Sequence, residues 1–466
     1  MNILFKNFKV ENENFIYIPL YIFLKDKIEK REISYKLPSI RKVANFLNIS
    51  SNTVAKSYLE LEKINYVKTI KGSGVFINKN IFSEKNISSL NLENDDNFSI
   101  IKTLKIDFIN STPNYSYLPV NDIKYAINYI LDRDQELALI NEGPFGSFEL
   151  RESIKNSLIN LEIMCNTENI HILSGAQQGI DLISKTLGFS KAHIAIENPT
   201  YLGALKSFKN QDFIIHPIDV ENDGLNISQL KQLLLETKIK FIYLMANFQT
   251  PTGVNISQKK RLQLLELSKE FDFYIIEDDS ASDLYYSDRA PIPLKVLDVD
   301  DRVIYIKSFS KIFMPGFRLG FILVPQKLLT PFLNNKILSD SSPSTLYQKS
   351  FALLLEKGLI EKHMSLCRKN FKFIQDSIVE ELKKIPNISF IIPYGGCSIW
   401  IKLPKHISSL SLYNKLLINN VGIVPGSNYG FDNFIKLNFS RINEKDINSG
   451  ISLLKETIEF FINLDI

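Results

Sequence analysis

The sequence predicts two folds in one chain: a small basic α+β module of three helices and a hairpin, then a large α/β domain. Three observations predict this. The first 80 residues hold fourteen Lys/Arg against seven Asp/Glu, so they carry +7 and leave −3 for the rest of a chain whose total is +4. From about Asn78 to Leu104 the composition turns to Asn, Ser and acidic residues with no hydrophobic period. Beyond Ile106, apolar runs with strand character alternate with helical periodicity, and each run ends in small or polar residues. That is the end at which open α/β sheets hold their ligands. At 466 residues and 45% apolar content the chain has material for two or three domains with large cores.

In the first module Leu20, Phe23, Leu24 and Ile28 recur at helical spacing and give an amphipathic helix. Leu37-Pro38-Ser39 breaks the chain and restarts it with Ser39 as an N-cap. Ile40, Val43, Ala44 and Leu47 make the apolar face of a second short helix. Asn48-Ile49-Ser50 is a tight turn, and Ser50 caps a third helix. That helix buries Val54, Tyr58 and Leu61 and leaves Ser51, Asn52, Thr53 and Lys56 on its open face. This is helix-turn-helix geometry, in which the start of the later helix reaches base edges. Tyr66–Ile70 and Val75–Ile77 flank Lys71-Gly72-Ser73-Gly74 and read as a two-stranded wing. A small basic module on a mildly acidic body points to a polyanion as its partner.

The connecting stretch, read as a free coil of about 27 residues, spans roughly 30 Å. In the large domain Leu150–Leu161 reads as a helix and Ile170–Leu173 as a buried strand that runs into Ser174-Gly175-Ala176-Gln177-Gln178-Gly179. Small residues at a strand-to-helix turn let backbone N–H groups face an anion at the helix N-terminus. Ala192–Ile196 ends in Glu197-Asn198-Pro199-Thr200-Tyr201, and Phe241–Met245 leads to Thr250-Pro251-Thr252-Gly253. Phe273–Ile276 ends in Glu277-Asp278-Asp279. Val303–Ile306 leads into Ser308-Phe309-Ser310-Lys311, followed by a Pro-Gly pair and Arg318. A lysine with two hydroxyls before it and a guanidinium after it is what a phosphorylated aldehyde cofactor needs. The amine forms an imine, and the hydroxyls and guanidinium hold the phosphate.

These strings resemble known families. LPSIRKVANFLNISSNTVAKSYLELEKINYV…GSGVFI is similar to the winged-helix domain of GntR-family bacterial regulators. The resemblance implies DNA contacts from Arg41, from Ser50, Ser51, Asn52, Thr53 and Lys56, and from Lys71 and Gly72 of the wing. Ser51 stands where that family often has arginine. From near Ile106 to the end, Gly146…Leu150-Arg151, SGAQQ, NPTY, PTG, EDD, SFSK…PGFR, Gly395-Gly396…Trp400 and Val424-Pro425-Gly426-Ser427 resemble fold type I pyridoxal-phosphate enzymes of the class I aminotransferase group. The resemblance implies Lys311 as the Schiff-base lysine. It implies Asp278 on the pyridinium nitrogen, Tyr201 on the ring face and Thr250 beside the ring hydroxyl. Gly175, Ala176, Gln177, Ser308, Ser310 and Arg318 form the implied phosphate cup.

Three positions depart from the enzyme pattern. Lys436 stands where aminotransferases carry the arginine for the substrate carboxylate, so a planar fork becomes a point charge. Arg441 lies an odd number of residues away and points off that face if the strand continues. Ser280 and Ala281 replace an expected tyrosine, and Asn141 stands where a neighbouring subunit's tyrosine often reaches the phosphate.

The whole resembles the MocR group of the GntR family. The expected fold is an N-terminal winged helix-turn-helix (1–77), a linker (78–104) and an α/β fold type I aminotransferase-like domain (105–466). Within the last, a large subdomain covers about 130–335 and a small one about 336–466. The expected function is regulation of transcription by a head-to-tail homodimer on double-stranded DNA. The chain would sense pyridoxal 5′-phosphate, or an amine or amino-acid effector at Lys311 and Lys436, with at most residual aminotransferase activity. The alternative is a working aminotransferase with an appended DNA-binding domain. Three scattered cysteines (Cys165, Cys367, Cys397) argue against disulfides or a metal site. The early apolar run Phe15–Leu24 holds Pro19 and is too short to span a bilayer. Both fit the cytoplasm.

Overall fold

A computed structural model of the chain describes residues 5, 17–29, 33, 35–63, 66–70, 74–77, 104–188, 191–310, 315–340 and 342–463. The chain divides into two compact units, Met1–Asn94 and Asp95–Ile466. Apart from Leu104, the expected linker lies outside the described residues.

The first unit holds helices α1 (Tyr17–Glu29), α2 (Ile40–Leu47) and α3 (Ser51–Lys63) and strands β1 (Val67–Ile70) and β2 (Gly74–Ile77). Leu20, Leu24, Ile28, Val43, Val54, Tyr58, Leu61 and Val75 form one core, following the 3.6-residue spacing of the sequence. Ser39 caps α2 by accepting from Lys42 N–H. Asn48 ends it in the left-handed region at φ 53°, its N–H donating to Ala44 O. The Tyr58 hydroxyl donates to Pro38 O at 2.7 Å and ties α3 to the chain entering α2. β1 and β2 pair antiparallel from Val67↔Ile77 to Ile70↔Gly74. Ser50 Oγ accepts from Thr53 N–H at 3.0 Å and lies 2.7 Å from Thr53 Oγ1. Ser50→Ala should therefore weaken the α3 start by about 1 kcal/mol. In full-length protein the Thr53 amide should exchange with solvent about 5-fold faster, while amides of the second unit stay unchanged.

The second unit is built on an eight-stranded sheet. Its neighbours, after β3 (Ile106–Asp107), are β4 (Ile170–Leu173), β5 (His193–Asn198), β6 (Ile214–Glu221), β7 (Gly224–Leu225), β8 (Ile239–Leu244), β9 (Tyr274–Asp279), β10 (Val303–Ser308) and β11 (Gly320–Leu323). The spatial order is β4-β11-β10-β9-β8-β5-β6-β7. β10, β9, β8, β5 and β6 run parallel. β11 is antiparallel between β10 and β4, and β7 is antiparallel at the far edge. Alternate residues serve opposite faces: Ile304 and Ile306 join one core, Val303 and Ile275 the other. A sheet buried on both faces explains the near-continuous apolar runs.

β9 and β10 extend past their apolar runs through Glu277-Asp278-Asp279 and Lys307-Ser308. These polar residues stay in the ladder because each finds partners. Glu277, for one, accepts from the N–H groups of Leu294 at 2.6 Å and Lys295 at 2.8 Å.

A second sheet combines β12 (Ser389–Phe390), β13 (Ser398–Lys402), β15 (Val424–Pro425) and β16 (Phe434–Asn438) in the order β12-β13-β16-β15, with β14 (Val421–Gly422) apart from it. β14 pairs in parallel with β3. The start of the domain is thus built into its C-terminal lobe, which the expected small subdomain of about 336–466 did not include.

Candidate functional site

Among the described residues, Gly175, Ala176, Gln177, Tyr201, Thr250, Asp278, Ser308 and Ser310 stand at or just beyond the C-terminal ends of β4, β5, β8, β9 and β10. The ladder sets this: parallel neighbours end at the same level, as in Ile306↔Asp278 and Leu244↔Glu277.

At the end of β4, Gly175 precedes the helix Ala176–Leu187 with φ 95°. The first N–H groups of a helix have no intrahelical acceptor, and its dipole favours an anion there. Arg318 sits over this turn. Its Nη2 donates to Ser174 O at 2.9 Å, and Nη1 lies 3.5 Å from Ser310 Oγ. A Cβ on Gly175 would stand 3.1 Å from Arg318 Nη2. Ser308 is buried, and its Oγ accepts from Ser310 N–H at 3.3 Å. Among the described residues no carboxylate pairs with Arg318. Backbone amides, hydroxyls and an unpaired guanidinium thus converge on one small volume. The Gln177 side chain turns aside, donating to Ser207 Oγ at 2.8 Å and to Gly203 O, so it does not point at Arg318.

Asp278 is buried at the end of β9 and accepts from the Tyr243 hydroxyl at 2.7 Å and from Ser280 Oγ. In the sequence Ser280 shows only as part of a lost tyrosine. Its hydroxyl instead orients the aspartate. Tyr243 was missed, since nothing local shows that β8 delivers its hydroxyl to a carboxylate 35 residues on. Tyr201 is half-buried at the start of the helix Leu202–Asn210. Thr250 is buried in a loop organised by Gln249, which donates to Pro199 O at 2.6 Å and to Glu197 at 3.3 Å and accepts from Thr252 Oγ1 at 2.6 Å. Glu197 also accepts from Met245 N–H at 3.0 Å, and burial pushes its carboxyl up to about 8. Glu197 and Gln249 are further supports of the site without a predicted role. The signal was available: two polar residues at the ends of neighbouring apolar strands.

Lys436 lies on β16 and lines a cavity with Ser111, Phe248, Thr250, Ala281 and Cys397. Burial pushes its amine down to about 8. Arg441 stands beyond the strand end, paired with Asp107 at 3.2 Å and with Tyr115. Asn141 accepts from Gly143 N–H at 2.8 Å, within its own turn. Lys311 lies outside the described residues.

In the first unit Arg41, Ser50, Ser51, Asn52 and Lys56 are exposed and Thr53 is half-buried. Ser50 and Thr53 spend their hydroxyls on the α3 cap. Lys56 Nζ lies 4.0 Å over the Tyr17 ring. Among the described residues of the predicted set, that leaves Arg41, Ser51 and Asn52 without a side-chain contact of this kind. Lys71 and Gly72 lie outside the described residues.

A mostly parallel sheet with β11 antiparallel within it and β7 antiparallel at its edge, an anion cup at β4 and a buried aspartate on β9 define a fold type I aminotransferase domain. The profile of the aminotransferase class I and II family matches residues 111–454, and the chain belongs to that family. Aromatic-amino-acid aminotransferase 1 of Thermococcus litoralis is 30% identical over 81% of this chain and 94% of its own. A solved structure, the multiple substrate aminotransferase of Thermococcus profundus, superposes with a TM-score of 0.76 at 29% identity, covering 83% of this chain and 100% of that one. The uncharacterized HTH-type transcriptional regulator YcxD of Bacillus subtilis is 27% identical over 93% of this chain and 98% of its own.

The cofactor of the family is pyridoxal 5′-phosphate, and the residues present fit it. Gly175, at φ 95°, sits where a side chain would be strained and tight against Arg318, and Asp278 is held as a buried acceptor by two hydroxyls. When bound, the group supplies an aldehyde that condenses with amines and a ring that takes up electron density. Among the described residues no cluster could hold a metal ion, and no helix is long and apolar enough to cross a membrane.

Proposed function

We propose that this chain is a transcriptional regulator of the MocR group. Its winged helix-turn-helix, residues 1–77, binds duplex DNA, and its domain from 105 onward holds pyridoxal 5′-phosphate at Lys311. That domain senses the cofactor, or an amine or amino acid that engages it. Two copies pair head to tail in the cytoplasm and read two half-sites, and ligand state shifts the population of DNA-binding arrangements.

One observation carries this reading. A cofactor cup of the aminotransferase type shares a chain with a unit whose α3 presents exposed Ser51 and Asn52 beside Arg41 on α2. The regulator YcxD aligns over 93% of the chain, against 81% for the Thermococcus litoralis enzyme. Lys436 speaks against efficient amino-acid turnover, because an ammonium cannot hold a carboxylate bidentately. The Asp278 clamp favours the second reading, an active aminotransferase carrying a DNA-binding unit.

The test starts from duplex sites selected out of a random pool by full-length protein. Fluorescence anisotropy then follows binding with and without pyridoxal 5′-phosphate and a panel of amines and amino acids. DNA affinity should respond to the cofactor or to one effector, and Lys311→Ala should remove the response. Asn52→Ala should weaken the selected site about 10-fold, as expected for one lost base contact, and leave cofactor absorbance untouched. Recovery of no preferred sequence would sink the regulatory reading. Catalytic spectral turnover with an amino acid would make the second reading the right one.

A further inference from the structure

β5 and β8 are parallel neighbours, with Ile196 opposite Tyr243. Tyr201 follows the end of β5 and Thr250 follows the end of β8. One carboxyl oxygen joins the two ends. Glu197 Oε2 accepts from Met245 N–H at 3.0 Å and from Gln249 Nε2 at 3.3 Å. Gln249 Nε2 also donates to Pro199 O at 2.6 Å, so the same amide holds the chain just before Tyr201. Gln249 Oε1 accepts from Thr252 N–H at 3.1 Å and from Thr252 Oγ1 at 2.6 Å, on the far side of Thr250. Glu197 and Gln249 are 1% and 2% exposed.

Glu197 continues the sheet face of Ala195, whereas Asp278 continues that of Ile276. Glu197 therefore stands on the opposite face of the sheet from Asp278. Its Oε1 is buried and, among the described residues, has no hydrogen-bond partner. An unpaired buried polar atom costs stability. An apolar side chain at 197 would avoid that cost but could not hold Gln249. Burial pushes the carboxyl up to about 8, so near neutral pH it is mostly protonated and resembles an amide in shape and charge.

We propose that Glu197 is a positioning residue: through Gln249 it fixes the spacing between Tyr201 and Thr250, and so the slot that receives the cofactor ring. The phosphate cup lies at the end of β4 and after β10, and none of the hydrogen bonds of this clasp reaches it. Ring and phosphate binding are therefore separable. The proposal rests on the cofactor of the family and not on DNA binding.

The experiment titrates full-length protein with pyridoxal 5′-phosphate by absorbance and repeats the titration with inorganic phosphate as competitor. Glu197→Ala should weaken cofactor binding about 10-fold. It should shift the absorption maximum of the bound cofactor and leave the inhibition constant of phosphate at its wild-type value. Glu197→Gln keeps an oxygen for Met245 and Gln249, so it should restore the band and bring affinity to within about 2-fold of wild type. Gln249→Ala should match Glu197→Ala. The double variant should be about 10-fold weaker than wild type, against about 100-fold for independent sites, because both changes open one clasp. Thr252→Val removes one hydroxyl from a half-buried side chain and serves if the other variants fail to fold. It should weaken the cofactor about 3-fold. Equal losses of phosphate and cofactor would make Glu197 a general support of the fold and overturn the proposal. So would unchanged cofactor affinity in Glu197→Ala or Thr252→Val, or full additivity in the double variant. A wild type that selects no DNA sequence would end the regulatory reading and alter none of these expectations.

Discussion

Arg318→Ala should weaken binding of pyridoxal 5′-phosphate about 100-fold, which is ~3 kcal/mol for the loss of charge-assisted contacts to a phosphate. The side chain is exposed, and its described partners are one carbonyl and one hydroxyl, Ser174 O at 2.9 Å and Ser310 Oγ at 3.5 Å. Its removal therefore leaves no buried charge unpaired, and the fold should survive. Gly175, with φ 95°, begins the helix so close to the guanidinium that a Cβ there would stand 3.1 Å from Arg318 Nη2, so phosphate would meet amides and arginine together. Arg318→Lys should recover only part of the affinity, because a point charge replaces a fork. Absorbance titration with the cofactor reads both variants. Inorganic phosphate should compete with the cofactor on the wild type and lose that effect in Arg318→Ala. Equal affinities for wild type and Arg318→Ala would move the phosphate site elsewhere.

What the sequence made legible, and what it hid, follows from the range of the interactions. The α1–α3 faces were readable because Leu20, Leu24, Val43, Val54, Tyr58 and Leu61 share one core at helical spacing. Both serine caps and the tight turn at Asn48 were readable because they are made within four residues. The strand ends that carry Gly175, Asp278 and Ser308 were readable as breaks in apolar runs. Their true lengths were not, because Glu277 and Ser308 continue buried ladders with partners distant in sequence. The Tyr243–Asp278–Ser280 contacts were hidden for the same reason. So was the pairing of β3 with β14, which joins residues 106–107 to 421–422. Substitution is easier to see than compensation. The sequence displayed a missing tyrosine after Asp278, and only the fold put the Ser280 hydroxyl on that aspartate.

His171→Phe should remove an acid sensitivity of about 1.4 kcal/mol per pH unit from the second unit. His171 lies on β4, fully buried, its ring stacked on Phe145 with centroids 5.1 Å apart and edge-on to Phe332 at 4.9 Å. Among the described residues neither ring nitrogen has a hydrogen-bond partner. Burial, with Lys336 and Arg151 adding repulsion, lowers the imidazole to about 3. An unfolded histidine titrates near 6.5. Between those values the unfolded chain binds the extra proton, so stability falls as pH drops through 6.5 and keeps falling towards 3. Above 6.5 both states are neutral and this contribution is flat. At pH 4.5 the loss from this one residue is about 2.7 kcal/mol. Phenylalanine keeps the ring contacts and has no nitrogen to leave unpaired, so it should also add roughly 1–3 kcal/mol at neutral pH. Thermal midpoints of full-length wild type and variant, compared from pH 7.5 down to 5, separate this from carboxylates that titrate in both. The gap between the two curves should widen as the pH falls. A constant gap would mean that the buried imidazole is hydrated or paired in solution, with His171→Leu as the check that ring size is not the cause.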